Sequence, residues 1–231
     1  MAAQFISSTT MLDLERDGAT RVNAALSAQE VEALKTAIAH VPQDRAGTRL
    51  TGIPALTRYL SQGSLIAAQL KHLTGKDMWP VRAVLFDKNP QTNWKLKWHQ
   101  DRTIVVKERI VTEDYGPWSI KAGLQHVAPP YNVLARMRTV RIHLDDVDAT
   151  NAPLLVALGS HLFGRVEEKD IPHAVAQCAV HPCLAHAGDI WIYHTPILHA
   201  SDAATHPRRR RVLQVDYAAE PLPSGLEWLG V

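Results

Sequence analysis

The sequence predicts a mainly β protein, a barrel or sandwich with N-terminal helices packed outside it. Three observations support this prediction. Apolar residues at helical spacing occur within about residues 1–79, and from Pro80 onward the chain changes to short β-prone runs separated by Pro, Gly, Asn and Asp. Six such runs within about 140 residues are typical of a barrel or sandwich. Because there is no linker-like segment and no internal repeat, we expect residues 1–231 to form one domain, with the barrel at about 80–218.

Two helices are predicted in the N-terminal part. Ser27 and Glu30 form a capping-box pattern, and Pro42 closes the helix that follows. After a polar loop over 43–54, Ser64 can cap a second helix that ends at Gly75. The apolar residues at helical spacing are Val31, Leu34, Ile38 and Val41 in the first helix and Leu65, Ile66, Leu70 and Leu73 in the second.

The six predicted strands cover residues 81–87, 93–101, 139–147, 152–158, 189–195 and 210–218. Two of them alternate polar and apolar residues. Lys97, His99 and Asp101 share one face of the second strand, and Arg141 and His143 share one face of the third. Such a face is either solvated or lines a polar pocket inside a barrel.

Composition and charge exclude several classes of protein. A net charge of +2 gives no reason to expect a nucleic-acid or membrane partner, and Arg208–Arg211 runs straight into a strand that sends neighbouring arginines to opposite faces. Two cysteines make no disulfide framework, the N-terminus lacks a basic leader, and no apolar run reaches about 18 residues. We therefore expect a cytoplasmic protein.

The motif with the most chemical content is His99-Gln100-Asp101 together with His199 and Arg210. A strand points the side chains of a His-x-Asp pair to the same side, and His199 is a candidate third ligand. Two histidines and one carboxylate form the facial triad of non-heme iron(II) oxygenases, which leaves positions for a 2-oxo acid and dioxygen. Arg210, eleven residues after His199, is placed to bind the far carboxylate of 2-oxoglutarate.

Four stretches carry a resemblance to a known family: WHQD at 98–101, NAPLLVALGSHLFG at 151–164, GDIWIYHTPILHAS at 188–201 and PRRRRVLQVDY at 207–217. Over about residues 80–218 the chain resembles the phytanoyl-CoA dioxygenase family of iron(II)- and 2-oxoglutarate-dependent oxygenases. The resemblance implies a double-stranded β-helix, a jelly-roll or cupin-like barrel. It also implies iron(II), 2-oxoglutarate and dioxygen as cofactor and co-substrates, with iron bound by His99, Asp101 and His199.

The resemblance implies further roles and shows departures. Arg210, Ser201 and Trp118 would contact 2-oxoglutarate. Asp101 favours oxygen insertion, because halogenating relatives have a small residue in place of this carboxylate. Leu158 stands where the family has proline, and Ala152 where it has glycine, so the local turn geometry is in question.

The predicted function is hydroxylation of a small organic substrate with release of succinate and CO₂, with desaturation or cyclisation as other outcomes of the same chemistry. The long segment 115–131 is predicted to be a lid or binding element. Candidate substrate-binding residues are Lys121, His126, Lys97, Arg141 and His143, with Trp118 beside them. The positive character of Lys97, Arg141 and His143 suits either an anionic substrate or 2-oxoglutarate itself. The alternative from another class is a non-catalytic barrel that binds a metal or small ligand as a sensor or storage protein.

Other residues compete for these roles. Cys178, His181, Cys183 and His186 resemble a zinc knuckle, but Pro182 interrupts this compact string, and a strand with buried thiols and surface histidines is favoured. His161 is expected to be a turn residue. His194 and His206 are alternatives to His199 as the third metal ligand, but their spacings to Arg210 do not fit the expected pattern. Arg209 is the alternative to Arg210 for binding 2-oxoglutarate.

Overall fold

A computed structural model describes residues 11–42, 45 and 47–231 of the chain. The α-helices are α1 (Leu14–Asp17), α2 (Ala28–Ala37), α3 (Pro54–Leu60), α4 (Leu65–Thr74), α5 (Tyr131–Arg136) and α6 (Ile171–Ala176). The strands are β1 (Ala19–Val22), β2 (Gly47–Leu50), β3 (Trp79–Lys88), β4 (Leu96–His99), β5 (Ile104–Val106), β6 (Trp118–Lys121), β7 (Leu124–Val127), β8 (Arg138–His143), β9 (Leu154–Ala157), β10 (Val180–Cys183), β11 (Ile190–His194), β12 (His199–Ser201) and β13 (Arg210–Ala218).

The strands form three antiparallel sheets. A six-stranded sheet has the order β1-β11-β8-β13-β3-β2, a four-stranded sheet has the order β10-β9-β12-β4, and a three-stranded sheet has the order β5-β7-β6. The two larger sheets face each other, since Trp191 and Tyr193 of the first pack with Leu154 and Val156 of the second. This arrangement confirms the predicted mainly β, jelly-roll fold.

The N-terminal helices pack on the outer face of the six-stranded sheet, as predicted. Leu34 of α2, Leu60 of α3 and Leu70 of α4 share one buried cluster with Leu85 of β3 and Leu213 of β13. Strand alternation leaves Arg82, Val84, Phe86 and Lys88 of β3 on the opposite, inward face. The helices therefore close one side of the sheet and leave the other for the site.

The helix predictions are confirmed at their starts. Ser27 and Glu30 make both hydrogen bonds of the capping box, and Ser64 accepts a hydrogen bond from the backbone of Ala67. The left-handed Gly75 ends α4, whereas α2 ends at Ala37 instead of continuing to Val41. No helix among the described residues is long and apolar enough to cross a membrane.

The predicted helical character of residues 1–79 is incomplete. The short strands β1 and β2 form the two edges of the six-stranded sheet, and α3 begins at Pro54 within the predicted loop 43–54. A four-residue strand shows little polar–apolar alternation in the sequence. Such a strand forms because it pairs with a neighbouring strand. Residues 43, 44 and 46 of that loop, and residues 1–10 with most of the leader prediction, lie outside the described residues.

All six predicted strand regions contain a strand, and β13 has the predicted bounds. The arginine run at its start alternates faces as expected. Arg208, Arg209 and Arg211 form ion pairs with Asp148, Asp87 and Asp145 outside the cavity, while Arg210 is 2% exposed and points inward. Three arginines of the run are therefore paired with carboxylates outside the cavity, and the fourth is a buried cation.

Candidate active site

His99, Asp101 and His199 form the only group of potential metal ligands with three members within the described part of the chain. Their ligand atoms all lie within 4.8 Å of one another. His99 ends β4 and is the direct partner of His199, which begins the neighbouring strand β12. The two imidazole centroids are 4.2 Å apart, and Asp101 follows two residues after His99.

Hydrogen bonds to the backbone orient both imidazoles. Nδ1 of His99 lies 2.8 Å from the carbonyl of Lys97, and Nδ1 of His199 lies 2.9 Å from the carbonyl of Ile197. A carbonyl only accepts, so each Nδ1 donates and each Nε2 is left unprotonated in the neutral ring. This is the arrangement in which histidine binds a metal.

Gln100 and Ser160 hold the two ligand segments in place. Gln100 points away from its neighbours and donates to the carbonyls of Gly164 and Pro196, both at 2.9 Å. The hydroxyl of Ser160 accepts a hydrogen bond of 2.9 Å from the backbone of Leu198, next to His199. The 158–161 turn, in which Leu158 departs from the family pattern, therefore supports the distal histidine.

Asp101 is linked to the six-stranded sheet through Arg82. Arg82 Nη2 lies 3.7 Å from Asp101 Oδ2, and its Nε lies 2.6 Å from Asp216 Oδ2. Burial disfavours ionisation of Asp101, but Arg82 and then the two histidines favour it, and the pKa of this carboxyl is lowered. Burial and the neighbouring His99 lower the pKa of His199 to about 4. A carboxylate beside two imidazoles is the donor set of a divalent metal site.

A cavity of about 300 Å³ lies in front of these three residues. The six-stranded sheet contributes its floor, and the four-stranded sheet contributes the wall with the histidines. The side chains that line it include Arg49, Arg82, Val84, Phe86, Lys88, Trp94, Leu96, Thr103, Lys121, His126, Arg141, Leu154, Ser201, Arg210 and Gln214.

Three buried cations cluster at one end of the cavity. Arg210 of β13 is paired in register with Lys88 of β3. On the other side of β13, Arg141 of β8 is paired with Gln214. Burial, Arg210 and Arg141 together lower the pKa of Lys88 to about 7. Burial and Arg141 lower the pKa of Arg210 to about 9. Three buried cations placed side by side favour binding of an anion at this end of the cavity.

A second basic group lies on the side of the cavity formed by β2 and the β6–β7 hairpin. Arg49, Lys121 and His126 line it. Burial and the charges of Arg49 and Lys121 lower the pKa of His126 to about 4, so this ring is neutral at pH 7. The predicted lid segment 115–131 is thus largely a β-hairpin, turning at Ala122 and Gly123, both at positive φ.

Five of the residues predicted to contact co-substrate or substrate line the cavity: Arg210, Ser201, Lys121, His126 and Arg141. The Ser201 hydroxyl lies 3.3 Å from the carbonyl of Ala152, and Arg210 donates to the same carbonyl. Arg141 donates to Gln214 Oε1 at 2.7 Å, and its guanidinium lies 5.3 Å from the Phe86 ring centroid.

Lys97 does not line the cavity, contrary to the prediction. The pairing of β12 with β4 aligns His199 with His99 but Ser201 with Leu96, so four residues of β4 oppose three of β12. This bulge breaks the simple alternation. Leu96 and Trp94 consequently face the cavity with His99, while Lys97 is exposed on the other side.

Trp118 and His143 are also outside the cavity wall. Trp118 lies on the opposite face of β6 from Lys121, in an apolar cluster with Ile104 and Val127, and Arg109 stacks 5.5 Å from its ring centroid. His143 shares the inward face of β8 with Arg141 but is 2% exposed beside Val212. Burial, followed by Arg141 and Arg210, lowers its pKa well below the usual value.

The competing residues take structural roles. Cys183 ends β10, His181 stacks on Trp191 with centroids 5.5 Å apart, and the cysteine–histidine string makes no cluster of three potential metal ligands within the described ranges. His161 lies in a turn, stacked 4.4 Å from His194. His206 is exposed, and Arg209 pairs with Asp87 away from the cavity.

The sequence reasoning missed Arg49, Arg82 and Lys88. The signal for two of them was present, because Arg82 and Lys88 sit at the two ends of the β3 face that also carries Val84 and Phe86. Charged residues on an otherwise apolar buried strand are rare without a partner or a function. Arg49 gave no such signal, since β2 was not predicted as a strand.

Comparisons with known proteins identify the family and the fold of the chain. Residues 14–212 match the family described as phytanoyl-CoA dioxygenase (PhyH), whereas no curated protein matches the sequence. AviO1 from Streptomyces viridochromogenes Tue57 is 18% identical with a TM-score of 0.63, covering 91% of this chain and 95% of that chain. HygX from Streptomyces hygroscopicus, solved with nickel and 2-oxoglutarate bound, is 9% identical with a TM-score of 0.61, covering 89% and 84%.

A third similar structure is SnoK, a non-heme alpha ketoglutarate dependent carbocyclase from nogalamycin biosynthesis. It is 17% identical with a TM-score of 0.65, covering 94% of this chain and 85% of that chain. At these identities the structures show a shared fold, and the family match spans most of the chain. The chain belongs to the phytanoyl-CoA dioxygenase family, whose members depend on iron(II) and 2-oxoglutarate.

Proposed function

We propose that this protein is an iron(II)- and 2-oxoglutarate-dependent oxygenase that hydroxylates a small organic substrate, with His99, Asp101 and His199 as the iron ligands. The observation that carries the proposal is the orientation of the two histidines. Each Nδ1 donates to a backbone carbonyl, so both Nε2 atoms are available beside the Asp101 carboxylate. Two nitrogens and one carboxylate oxygen suit iron(II) and leave positions for other ligands.

The residues beside the triad support binding of 2-oxoglutarate. Arg210 and Ser201 lie in the same cavity as the ligands, at its buried basic end. A buried guanidinium binds a carboxylate strongly because water does not compete for it. Arg210 and Ser201 would hold the distal carboxylate, and this fixes the orientation of the 2-oxo acid group toward the triad. Trp118, which lies outside the cavity, has no place in this proposal.

Bound iron(II), 2-oxoglutarate and dioxygen supply the oxidising chemistry, which converts 2-oxoglutarate to succinate and CO₂ and inserts oxygen into a substrate C–H bond. The contribution of the chain is binding, orientation and exclusion of water. Arg82 positions the Asp101 carboxylate through its ion pairs with Asp101 and Asp216. Gln100 fixes the backbone between His99 and Asp101. Phe86, Trp94 and Leu154 give the cavity apolar walls against which a substrate carbon can lie.

We further propose that the substrate carries an acidic group, bound by Arg49 and Lys121. The charges of iron(II) and of the 2-oxoglutarate dianion cancel, so the side chains that line the cavity determine the net charge that a substrate meets. Six cationic side chains line it, against Asp101 as the carboxylate at its wall and Asp216 beneath Arg82. The cations are Arg49, Arg82, Lys88, Lys121, Arg141 and Arg210. The excess favours an anionic substrate because charge is weakly screened in such a cavity.

The test is succinate release from 2-oxoglutarate by the protein with iron(II) under air, compared among the intact protein and the variants His99→Ala, Asp101→Ala and His199→Ala. Each variant removes a metal ligand, so we expect a loss of at least about a hundredfold in turnover. His206→Ala is the matched control, because this exposed histidine lies outside the cavity, and it should retain full turnover.

Metal content separates the possible results. The intact protein should bind one iron(II) and each ligand variant less than this. Full turnover in the ligand variants would contradict the assigned triad. Tight metal binding without 2-oxoglutarate consumption would favour the non-catalytic sensor or storage alternative.

A further inference from the structure

Lys88 is a buried cation at the 2-oxoglutarate end of the cavity, beside Arg210 and Ser201. It is 2% exposed and ends β3, directly opposite Arg210 on β13. Its ammonium lies 3.2 Å from the Ser201 hydroxyl and 2.9 Å from the carbonyl of Asp202. The Lys88 ammonium lies over the face of Trp94, with Nζ 4.7 Å from the ring centroid.

These contacts do not neutralise the ammonium. Both hydrogen-bond acceptors are uncharged, and an ammonium has three protons to donate. The Asp202 carboxylate is 60% exposed and pairs instead with Lys95 at 2.8 Å. Neither Lys88 nor Arg210 has a carboxylate within salt-bridge distance among the described residues. A buried cation without an anion is destabilising, so an anion from outside the chain would stabilise this pair.

We propose that Lys88 binds the distal carboxylate of 2-oxoglutarate together with Arg210 and Ser201, and that it selects a 2-oxo diacid over 2-oxo monoacids. The inference rests on the proposed function. Register supports it, since Lys88 and Arg210 face each other across β3 and β13, and Ser201 bonds to Lys88 from the opposite sheet. Two cations and a hydroxyl can satisfy both oxygens of one carboxylate.

A purely structural role would fit the observations less well. A lysine that only joined the two sheets through Ser201 and Asp202 could be replaced by an uncharged residue at no loss of ligand binding. Burial of a third positive charge beside Arg210 and Arg141 opposes folding rather than favouring it. A bound anion would offset this unfavourable burial of positive charge at Lys88.

The experiment measures dissociation constants of two probes for the nickel-loaded protein, with nickel as a metal that does not turn over. 2-Oxoglutarate carries the distal carboxylate, whereas 2-oxobutyrate has the same 2-oxo acid group without it. Lys88→Met keeps the aliphatic packing on Trp94 and removes the charge. We expect it to weaken 2-oxoglutarate binding by about ten- to a hundredfold, in line with loss of a charged hydrogen bond, and to change 2-oxobutyrate binding by less than about twofold.

Lys97→Met is the matched control, since this lysine is exposed and outside the cavity, and it should bind both probes as the intact protein does. An unchanged ratio of the two dissociation constants in Lys88→Met would overturn the proposal for Lys88. Absence of 2-oxoglutarate binding to the intact nickel protein would instead contradict the proposed function. The thermal unfolding midpoint of Lys88→Met verifies that the variant is folded.

A second measurement needs no variant. Arg210, Arg141 and Asp202 are the charged groups that face Lys88, from β13, β8 and the segment after β12, and burial with the two arginines lowers the Lys88 pKa to about 7. A bound carboxylate raises this pKa, so the intact protein at pH 8 should take up a proton on binding 2-oxoglutarate. Calorimetry in buffers of different ionisation enthalpy detects this uptake. Equal proton uptake with 2-oxobutyrate would also overturn the proposal.

Discussion

Ala152 adopts the left-handed backbone conformation, with a φ of +53°, at a buried turn beside the cavity. Its carbonyl accepts hydrogen bonds from Arg210 and Ser201, so the turn positions both residues. An L-residue in this conformation is strained by about 1–2 kcal/mol. The departure from the glycine that the family has at this position is thus tolerated at some loss of stability.

We expect Ala152→Gly to leave the free energy of unfolding within about 0.5 kcal/mol of the original value, because relief of strain offsets the lost methyl burial and the greater chain entropy of glycine. Ala185→Gly is the control, since Ala185 is equally buried and has no positive φ. It should destabilise by about 1.5 kcal/mol. Denaturant unfolding measures both, and equal losses would show that Ala152 is unstrained.

Single residues of the site differed in how far the sequence predicted them. His99, Asp101, His199 and Arg210 could be selected because their spacing carries chemical information, and the structure brings them around one cavity. Lys97 was assigned to the wrong face because a bulge in β4 depends on pairing with β12, which local alternation does not encode.

The connection between β10 and β11 docks on the N-terminal helices through Gly188. Gly188 has a φ of +95°, its carbonyl accepts a hydrogen bond of 3.0 Å from Leu26, and its own amide donates to His143 at 2.8 Å. A Cβ at this position would lie 2.5 Å from the Leu26 carbonyl oxygen. The turn therefore requires glycine for both its conformation and its close approach to the backbone before α2.

Gly188→Ala should destabilise the protein by at least about 3 kcal/mol, since strain from the positive φ adds to a backbone clash that no side-chain rotation relieves. Gly52→Ala is a matched control. Its φ is +64° and a Cβ added there would have nothing within 4 Å, so only the conformational strain of about 1 kcal/mol remains. Urea unfolding of the two variants gives the comparison, and equal destabilisation would argue against a close approach at Gly188.

Elements with strong local signals were predicted well. The caps at Ser27 and Ser64 predicted the starts of α2 and α4, and the β-prone run at 210–218 predicted both ends of β13. The elements that were missed are short. β1, β2 and the β6–β7 hairpin have four residues per strand and depend on their partners in the sheet, so no local pattern distinguishes them from loops.

At the scale of the whole molecule, the sheets bring residues far apart in sequence to one cavity. The four-stranded sheet contributes His99 and His199, the six-stranded sheet contributes Lys88, Arg141 and Arg210, and the hairpin contributes Lys121. The sequence has a net charge of only +2, so its overall composition gave no indication of this local excess of positive charge. The excess exists only in the folded chain, because the balancing carboxylates, such as Asp87 and Asp145, pair with arginines outside the cavity.

This distribution of charge predicts that acids are preferred as substrates over their neutral derivatives. In a screen of carboxylic acids paired with their methyl esters, with succinate release as the readout, turnover should be stimulated by acids and be weaker with the esters. For an acid that is turned over, Arg49→Met and Lys121→Met should each raise KM by about tenfold and change kcat by less than about twofold, because both residues bind substrate away from the triad. Lys76→Met is the control, as this exposed lysine lies outside the cavity.

Raising the ionic strength should increase KM for the acid in the intact protein and less in the two cavity variants, since salt screens the attraction that those residues supply. Faster turnover of an ester than of its acid would show that the excess positive charge serves 2-oxoglutarate alone.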